Sequence, residues 1–345
     1  MSRYRAFKAA FEVLSLLHLS PLLRRFSACR GVIFTLHRVL PEPPAAFSPN
    51  AILQVRPDFL EAVIVKARAA GFDIVTMDEA LARLRSGARH RPFVVFTFDD
   101  AYRDNLTHAL PVLRRHNAPF TLFVPTALVD GVGEVWWQAL EDIIAANLVV
   151  SLGDRKVDTA TVEQKNALYE ELYWYYRTIP ESQRVEEITA LADAHGVDLP
   201  AHCRALIMDW DELRTFANEP LCTIGAHTVH HYELSKLAED EARTEMTASA
   251  DILAERFGVR PRHFSYPIGS RQAAGAREYR LAREAGFESA VTTIPGGLYP
   301  DHAENTTTLP RISLNGNFQD PRYIDVFLTG ALFTQIAKRD KGPGG

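Results

Sequence analysis

Residues 93–100 read Phe-Val-Val-Phe-Thr-Phe-Asp-Asp: six uncharged residues running into two adjacent carboxylates. Valine, phenylalanine and threonine favour extended chain. A short run that is apolar on both faces is the pattern of a strand covered on both sides, as in a parallel sheet. Working outward, Gly31–Leu36 (GVIFTL), Phe72–Thr76 (FDIVT) and Phe120–Val124 repeat the pattern, and Leu221–Ala226, Phe264–Tyr266, Ser289–Thr293 and Leu309–Ile312 complete the set. Between these runs the apolar spacing is helical. Helices are predicted over Asp58–Ala70, from a cap at Asp78 to Leu84, over Asn105–His116 with Pro111 as a place for a kink, over Lys236–Phe257 and over Arg271–Ala285. Alternation of this kind means parallel strands joined by helical crossovers, hence an α/β barrel or a doubly wound sheet.

The rhythm breaks over about 127–209, which reads as helix-rich and aromatic, with Trp136, Trp137, Tyr169, Tyr173, Trp174, Tyr175 and Tyr176. We read it as a helical insertion between two strands of one domain spanning 30–330, with an N-terminal segment over 1–29 and a tail over 331–345. The chain has 345 residues, enough for two domains or one swollen one. Its net charge of −5 and the lack of a basic tract argue against a nucleic-acid partner. Cys29, Cys203 and Cys222 are scattered and odd in number, so neither a disulfide framework nor a cysteine metal site is expected. Reduced thiols and a cytoplasmic location follow.

At the N-terminus, Arg3, Arg5 and Lys8 precede an apolar stretch with Phe7, Phe11, Leu14 and Leu17 at helical spacing. The charge-free run from Val13 to Leu23 is too short to span a bilayer, which takes about 20 residues. An amphipathic helix packed on the domain is the reading. A helix lying on the inner face of a membrane is the alternative, and a signal sequence is a weaker one.

Two segments carry chemistry. Asp99 and Asp100 end an apolar strand, and ligands of parallel α/β folds bind at the carboxyl ends of strands. Adjacent carboxylates there repel, so a cation or proton is expected beside them. Simple capping of the next helix is the plainer alternative, although one aspartate would suffice for it. His227-Thr228-Val229-His230-His231 follows another strand. On a helical turn, positions 227 and 231 would share a face at a spacing suited to one metal ion, and His230 could replace one of the pair. Two imidazoles and one carboxylate leave positions open on the metal, as a catalytic site requires. One site drawing on both sides of the insertion places both halves in one barrel.

The pairing of T-F-D-D with H-[ST]-x-x-H about 120 residues later resembles the polysaccharide deacetylase family, the NodB-homology or carbohydrate esterase 4 type, over roughly Arg30 to Leu314. The resemblance implies a distorted (β/α) barrel with a divalent metal, Zn²⁺ first and Co²⁺ or Ni²⁺ as alternatives. It implies Asp100, His227 and His231 as metal ligands and Asp99 as catalytic base. The family's R-x-P-[YF]-G motif corresponds to Ser265-Tyr266-Pro267-Ile268-Gly269, with serine in place of arginine. That form resembles a branch containing poly-N-acetylglucosamine deacetylases, and it marks the Ile268 N–H as oxyanion donor. Arg311 is the candidate to orient the base in the missing arginine's place. His37, in Thr35-Leu36-His37-Arg38-Val39, is the candidate acid, because the late Leu-x-His motif is also absent.

Ala101 stands where the family often has glycine, and the acidic pair followed by Trp has no counterpart near Phe287. Sugars stack their C–H faces on aromatic rings, so Tyr102 and Tyr266, with Pro267 and Ile268, are expected at the substrate, and Trp136 and Trp137 are further candidates. Met208-Asp209-Trp210-Asp211 is taken as a helix start. The expected activity is metal-dependent removal of acetyl groups from N-acetylhexosamine units of a saccharide or lipid-linked sugar. An O-acetyl esterase, a non-sugar amide hydrolase and a non-catalytic carbohydrate-binding protein are the alternatives.

Overall fold

The computed structural model describes residues 12, 28–86, 88, 90–330 and 332–334. Apart from Glu12, the expected N-terminal helix lies outside the described residues, and so does the tail beyond residue 334. Among the described residues twelve strands follow in chain order: β1 Gly31–Leu36, β2 Arg38–Val39, β3 Gln54–Val55, β4 Asp73–Ile74, β5 Phe93–Asp99, β6 Phe120–Val124, β7 Val149–Leu152, β8 Arg155–Asp158, β9 Cys222–Ala226, β10 His263–Ser265, β11 Ser289–Val291 and β12 Ile312–Ser313. Eight form one sheet, ordered β11-β10-β9-β6-β5-β1-β12 with β4 beside β5, and every pairing in it is parallel. The sheet curls on itself. Leu309 bridges to Val291 at one edge, and Ile312 pairs with Phe34 at the other. Residues 309–313 thus span the gap of a distorted barrel.

β1, β5 and β6 are buried along their whole length, as their two-sided apolar pattern requires. Threonines 35, 97, 121 and 223 stand in matched register across β1, β5, β6 and β9. The helix Met77–Arg85 is capped by Thr76, whose side chain accepts from the Glu79 N–H, and Asp78 sits in its first turn instead of at the cap. Around Pro111 the chain forms a π turn over Asn105–Ala109 and then an α-helix over Leu110–Arg115. Asp209 caps the helix Trp210–Ala217 with a full capping box.

Between β6 and β9 the chain forms helices Trp136–Ala146, Val162–Thr178, Glu181–Ala194 and Leu199–Leu206, and also the antiparallel hairpin β7–β8, so the insertion is not purely helical. It leans across the end of β5 onto the loop after β2. Asn50 ties the two: its N–H donates to Glu141 (2.7 Å), its Nδ2 to the Trp137 carbonyl (2.8 Å), and its Oδ1 accepts from the Tyr169 hydroxyl (2.7 Å). Among the described residues no helix is long and apolar enough to cross a membrane.

Candidate active site

The carboxyl ends of β1, β5, β9, β10 and β11 open on one cavity of about 430 Å³. His37, Asp99, Asp100, His227, His231, Ile268 and Thr293 line it, together with Trp136, Trp137, Tyr169, Tyr173 and Trp174 of the insertion and Pro49, Asn50, Ile52 and Leu53.

Asp99 is the last residue of β5, and the chain turns immediately after it. Asp100 has φ +75° and Ala101 φ +58°. Both lie in the left-handed region, where a Cβ is disfavoured. Ala101 therefore adopts the conformation for which glycine is the usual residue. His227 follows β9 directly, but the segment to His231 is a bend, not the helical turn expected from the spacing. Thr228 (φ +64°) and His231 (φ +59°) reverse the chain instead, and that reversal brings the two imidazoles together. His230 turns away, stacks on Tyr232 and pairs with Glu245.

Asp100, His227 and His231 offer three donor atoms that all lie within 4.8 Å of one another. Asp100 Oδ1 is 3.4 Å from His227 Nε2 and 3.2 Å from His231 Nε2. These contacts lack hydrogen-bond geometry, and Asp100 Oδ1 is a buried oxygen with no hydrogen-bond partner among the described residues. His227 Nδ1 donates to the Ser265 carbonyl at 2.7 Å, which leaves Nε2 with a lone pair facing the carboxylate. Lone pairs converging in this way need a cation. A tetrahedral ion with bonds of roughly 2.0–2.1 Å holds its donors about 3.3 Å apart, and the observed separations agree. The residues therefore fit a divalent metal ion. Burial alone would raise the Asp100 pKa, but His231 and His227 hold it well below the usual carboxylate range. Burial would lower His227, and the pull of Asp100 and Asp99 holds it above its ordinary value.

Asp99 is not part of this cluster. Burial would raise its pKa, and the Arg311 guanidinium holds it down. Arg311 is fully buried and donates to both Asp99 oxygens, at 2.8 and 2.7 Å. Its other bonds go to Thr97 Oγ1 (3.1 Å), Ser265 Oγ (3.0 Å) and the Thr292 carbonyl (2.9 Å). Ser265 in turn donates to Asp99 Oδ2 at 3.2 Å. The serine at the arginine position of the motif thus sits under a guanidinium that arrives from the segment just before β12. His37 faces the same cavity, where burial lowers its pKa against the opposing pull of Asp100 and Asp99.

Ile268 lines the cavity at φ +62°, an outlier for a β-branched residue. Its N–H donates to no backbone carbonyl among the described residues. Pro267 is buried beside it, away from the cavity wall, and its carbonyl accepts from the Gly269 N–H.

Tyr102 and Tyr266 do not line the cavity. The Tyr102 ring is buried beneath Trp137, whose Nε1 donates to its hydroxyl at 2.8 Å, and Arg38 covers its face. The Tyr266 ring packs between Phe264 and Tyr279, and its hydroxyl donates to the Thr307 carbonyl. Both rings already have their polar and apolar partners inside the protein. The aromatic wall comes from Trp136 and Trp137, as the sequence suggested, together with Tyr169, Tyr173 and Trp174, whose offsets of four and five residues on one helix were the available signal. Tyr173 stacks on Tyr169 (5.8 Å) and on Trp136 (5.4 Å), and Trp137 packs on His231 (4.8 Å).

The chain is 21% identical over 244 residues to the curated protein YxkH of Bacillus subtilis (strain 168), which covers 70% of this chain, and it spans 60% of that relative's length. Its fold is similar to the Streptococcus pyogenes deacetylase PplD in complex with acetate (TM-score 0.57, 18% identity, 86% of this chain and 97% of that one). It is also similar to IcaB from Ammonifex degensii (TM-score 0.54, 17% identity, 86% and 97%) and to the BpsB deacetylase domain from Bordetella bronchiseptica (TM-score 0.52, 18% identity, 83% and 96%). His37 and Arg311 lie outside the family match, but Asp99, Asp100, His227, His231 and Ile268 lie within it. With residues 86–290, more than half of its length, matching the family's model, the chain belongs to the polysaccharide deacetylase family.

Proposed function

We propose that this chain is a metal-dependent hydrolase that removes acetyl groups from N-acetylhexosamine units of a saccharide or glycoconjugate. The observation that carries the reading is a buried Asp-His-His cluster fitted to a divalent ion, beside a second aspartate that is not spent on it. A divalent ion held by Asp100, His227 and His231, Zn²⁺ in the first instance, would polarise the acetyl carbonyl and acidify a water. Asp99 is the base that takes a proton from the attacking water, and Arg311 keeps it ionised and oriented. The Ile268 N–H is the backbone donor for the oxyanion. His37, which faces the same cavity, protonates the departing amine. Water adds to the carbonyl, the C–N bond breaks, and acetate and the free amine leave.

The aromatic wall supports a saccharide as substrate, because the apolar C–H face of a pyranose stacks on such rings. Acetate release from N-acetylated and O-acetylated hexosamine oligomers tests the reading. Release from the N-acetyl series that vanishes in Asp99→Asn is expected. Release from O-acetyl esters alone would replace the proposal with an esterase.

A further inference from the structure

The loop that carries His227 and His231 is held in shape by a residue outside every motif. Glu245 lies on the helix Glu239–Phe257 and is 8% exposed. Its Oε2 accepts two successive backbone N–H groups, from Val229 and His230, each at 2.9 Å. Its Oε1 accepts from His230 Nδ1 at 2.5 Å. On the opposite flank, the Ala127 N–H donates to the Val229 carbonyl (2.8 Å) and the Thr126 N–H to the Thr228 carbonyl (3.3 Å). Residues 228–230 are therefore clamped between the end of β6 and the helix.

The clamp matters because the loop is strained. Thr228 and His231 both hold left-handed φ, and Thr228 is β-branched. Such dihedrals persist only where the surroundings over-determine them. Without the carboxylate, two loop N–H groups lose their acceptor and the chain is free to relax. Relaxation at residue 228 or 231 moves the imidazoles out of the 3.2–3.4 Å spacing around Asp100 Oδ1.

We infer that Glu245 is a positioning residue for the metal-binding loop: it sets the placement of the two imidazoles, and through them the affinity for a divalent cation, without itself touching the ion. The inference rests on the reading of Asp100, His227 and His231 as a metal triad.

The test uses full-length, metal-stripped wild type, Glu245→Ala and Glu245→Gln, titrated with Zn²⁺ against a chromophoric chelator and with Co²⁺ followed by its visible absorption. Thermal midpoints of the metal-free proteins are measured alongside. Glu245→Ala is expected to bind Zn²⁺ at least about tenfold more weakly, with an altered Co²⁺ spectrum. Glu245→Gln keeps an oxygen for the loop N–H groups and is expected to recover most of the affinity, to within about threefold of wild type. Should the alanine variant not fold, the glutamine variant carries the test: loss of the carboxylate's charge at the loop N–H groups is expected to leave Zn²⁺ binding measurably weaker, within that threefold, and the Co²⁺ spectrum shifted from wild type. Wild-type affinity and an unchanged spectrum in the variants that fold overturn the inference, even if their thermal midpoints fall, because Glu245 then serves the fold alone. A wild-type protein that takes up neither ion overturns the triad reading and this inference with it.

Discussion

The Arg311 guanidinium and the Asp99 carboxylate form a two-bond pair in the barrel interior, Nη1 to Oδ1 at 2.8 Å and Nη2 to Oδ2 at 2.7 Å, with Arg311 wholly shielded from solvent. All five guanidinium N–H groups have an acceptor: Asp99 twice, Thr97, Ser265 and the Thr292 carbonyl. Arg311 immediately precedes β12, in the segment that bridges β11 and β1, so the contact that orients the proposed base also closes the barrel. Small side chains at positions 97 and 265 leave room for it.

That geometry separates two substitutions of the arginine. Arg311→Lys keeps a positive charge but loses the planar fork. Its kcat is expected to fall at least about tenfold while KM and Zn²⁺ affinity change little, since the triad is not touched. Arg311→Ala strands a buried carboxylate and is expected to cost about 3–5 kcal/mol, read as a lower urea midpoint. Wild-type kcat in Arg311→Lys would remove Arg311 from the positioning of Asp99.

The triad makes its own prediction. Asp100→Asn preserves shape but removes the charge on the oxygen that both imidazoles face. Zn²⁺ affinity is expected to drop by more than about a hundredfold, with acetate release falling to background. Stripping the wild-type protein with a chelator should abolish activity, and Zn²⁺, Co²⁺ or Ni²⁺ should restore it. Full activity after exhaustive chelation, with no metal left by elemental analysis, is the result that defeats this mechanism.

The strand ends were readable because each apolar run stops at a chemically distinctive residue: Asp99 after FVVFTF, His227 after LCTIGA, His37 after GVIFTL. Their convergence follows from parallel topology alone. Local backbone shape was not readable in the same way. Spacing of four suggested a helical turn for His227 and His231, but the two imidazoles meet through left-handed dihedrals at Thr228 and His231, which no propensity scale favours for threonine. Aromatic residues were misplaced for a related reason. Nearness in sequence to a motif pointed to Tyr102 and Tyr266, yet a residue beside a sharp turn is as readily turned inward. Trp136 and Trp137 do line the cavity, but the rest of the wall, Tyr169, Tyr173 and Trp174, arrives from a helix about seventy residues along the chain from Asp99. Glu245 was equally out of reach, since two of its three bonds are to backbone N–H groups, which leave no trace in residue type, and the third, to His230, joins residues fifteen apart in the chain.

That wall should act on binding more than on chemistry. Trp174 is 58% exposed although it borders the cavity, so its ring is available to a ligand. Trp174→Ala and Tyr173→Ala are expected to raise KM for an N-acetylhexosamine oligomer several-fold with kcat within about twofold, the pattern of lost uniform binding. Hydrolysis of a small aryl acetate, which does not reach the wall, should be unaffected. Equal losses on both substrates would mean that these rings support the fold of the insertion instead of holding sugar.

Ile268 offers the sharpest separation of stability from activity. A β-branched residue at φ +62° carries strain of about 1–3 kcal/mol, and the side chain is only partly buried, so little packing would be forfeited by trimming it. Glycine relieves the strain but adds conformational freedom to the unfolded chain worth about 0.5–1 kcal/mol. Ile268→Gly is therefore expected to leave the thermal midpoint unchanged or to raise it by a few degrees. The same change frees the backbone that holds the proposed oxyanion donor, so kcat should fall about tenfold or more with Zn²⁺ affinity intact. A variant that loses stability and keeps kcat would show that the strained conformation serves the fold and that the oxyanion is held elsewhere.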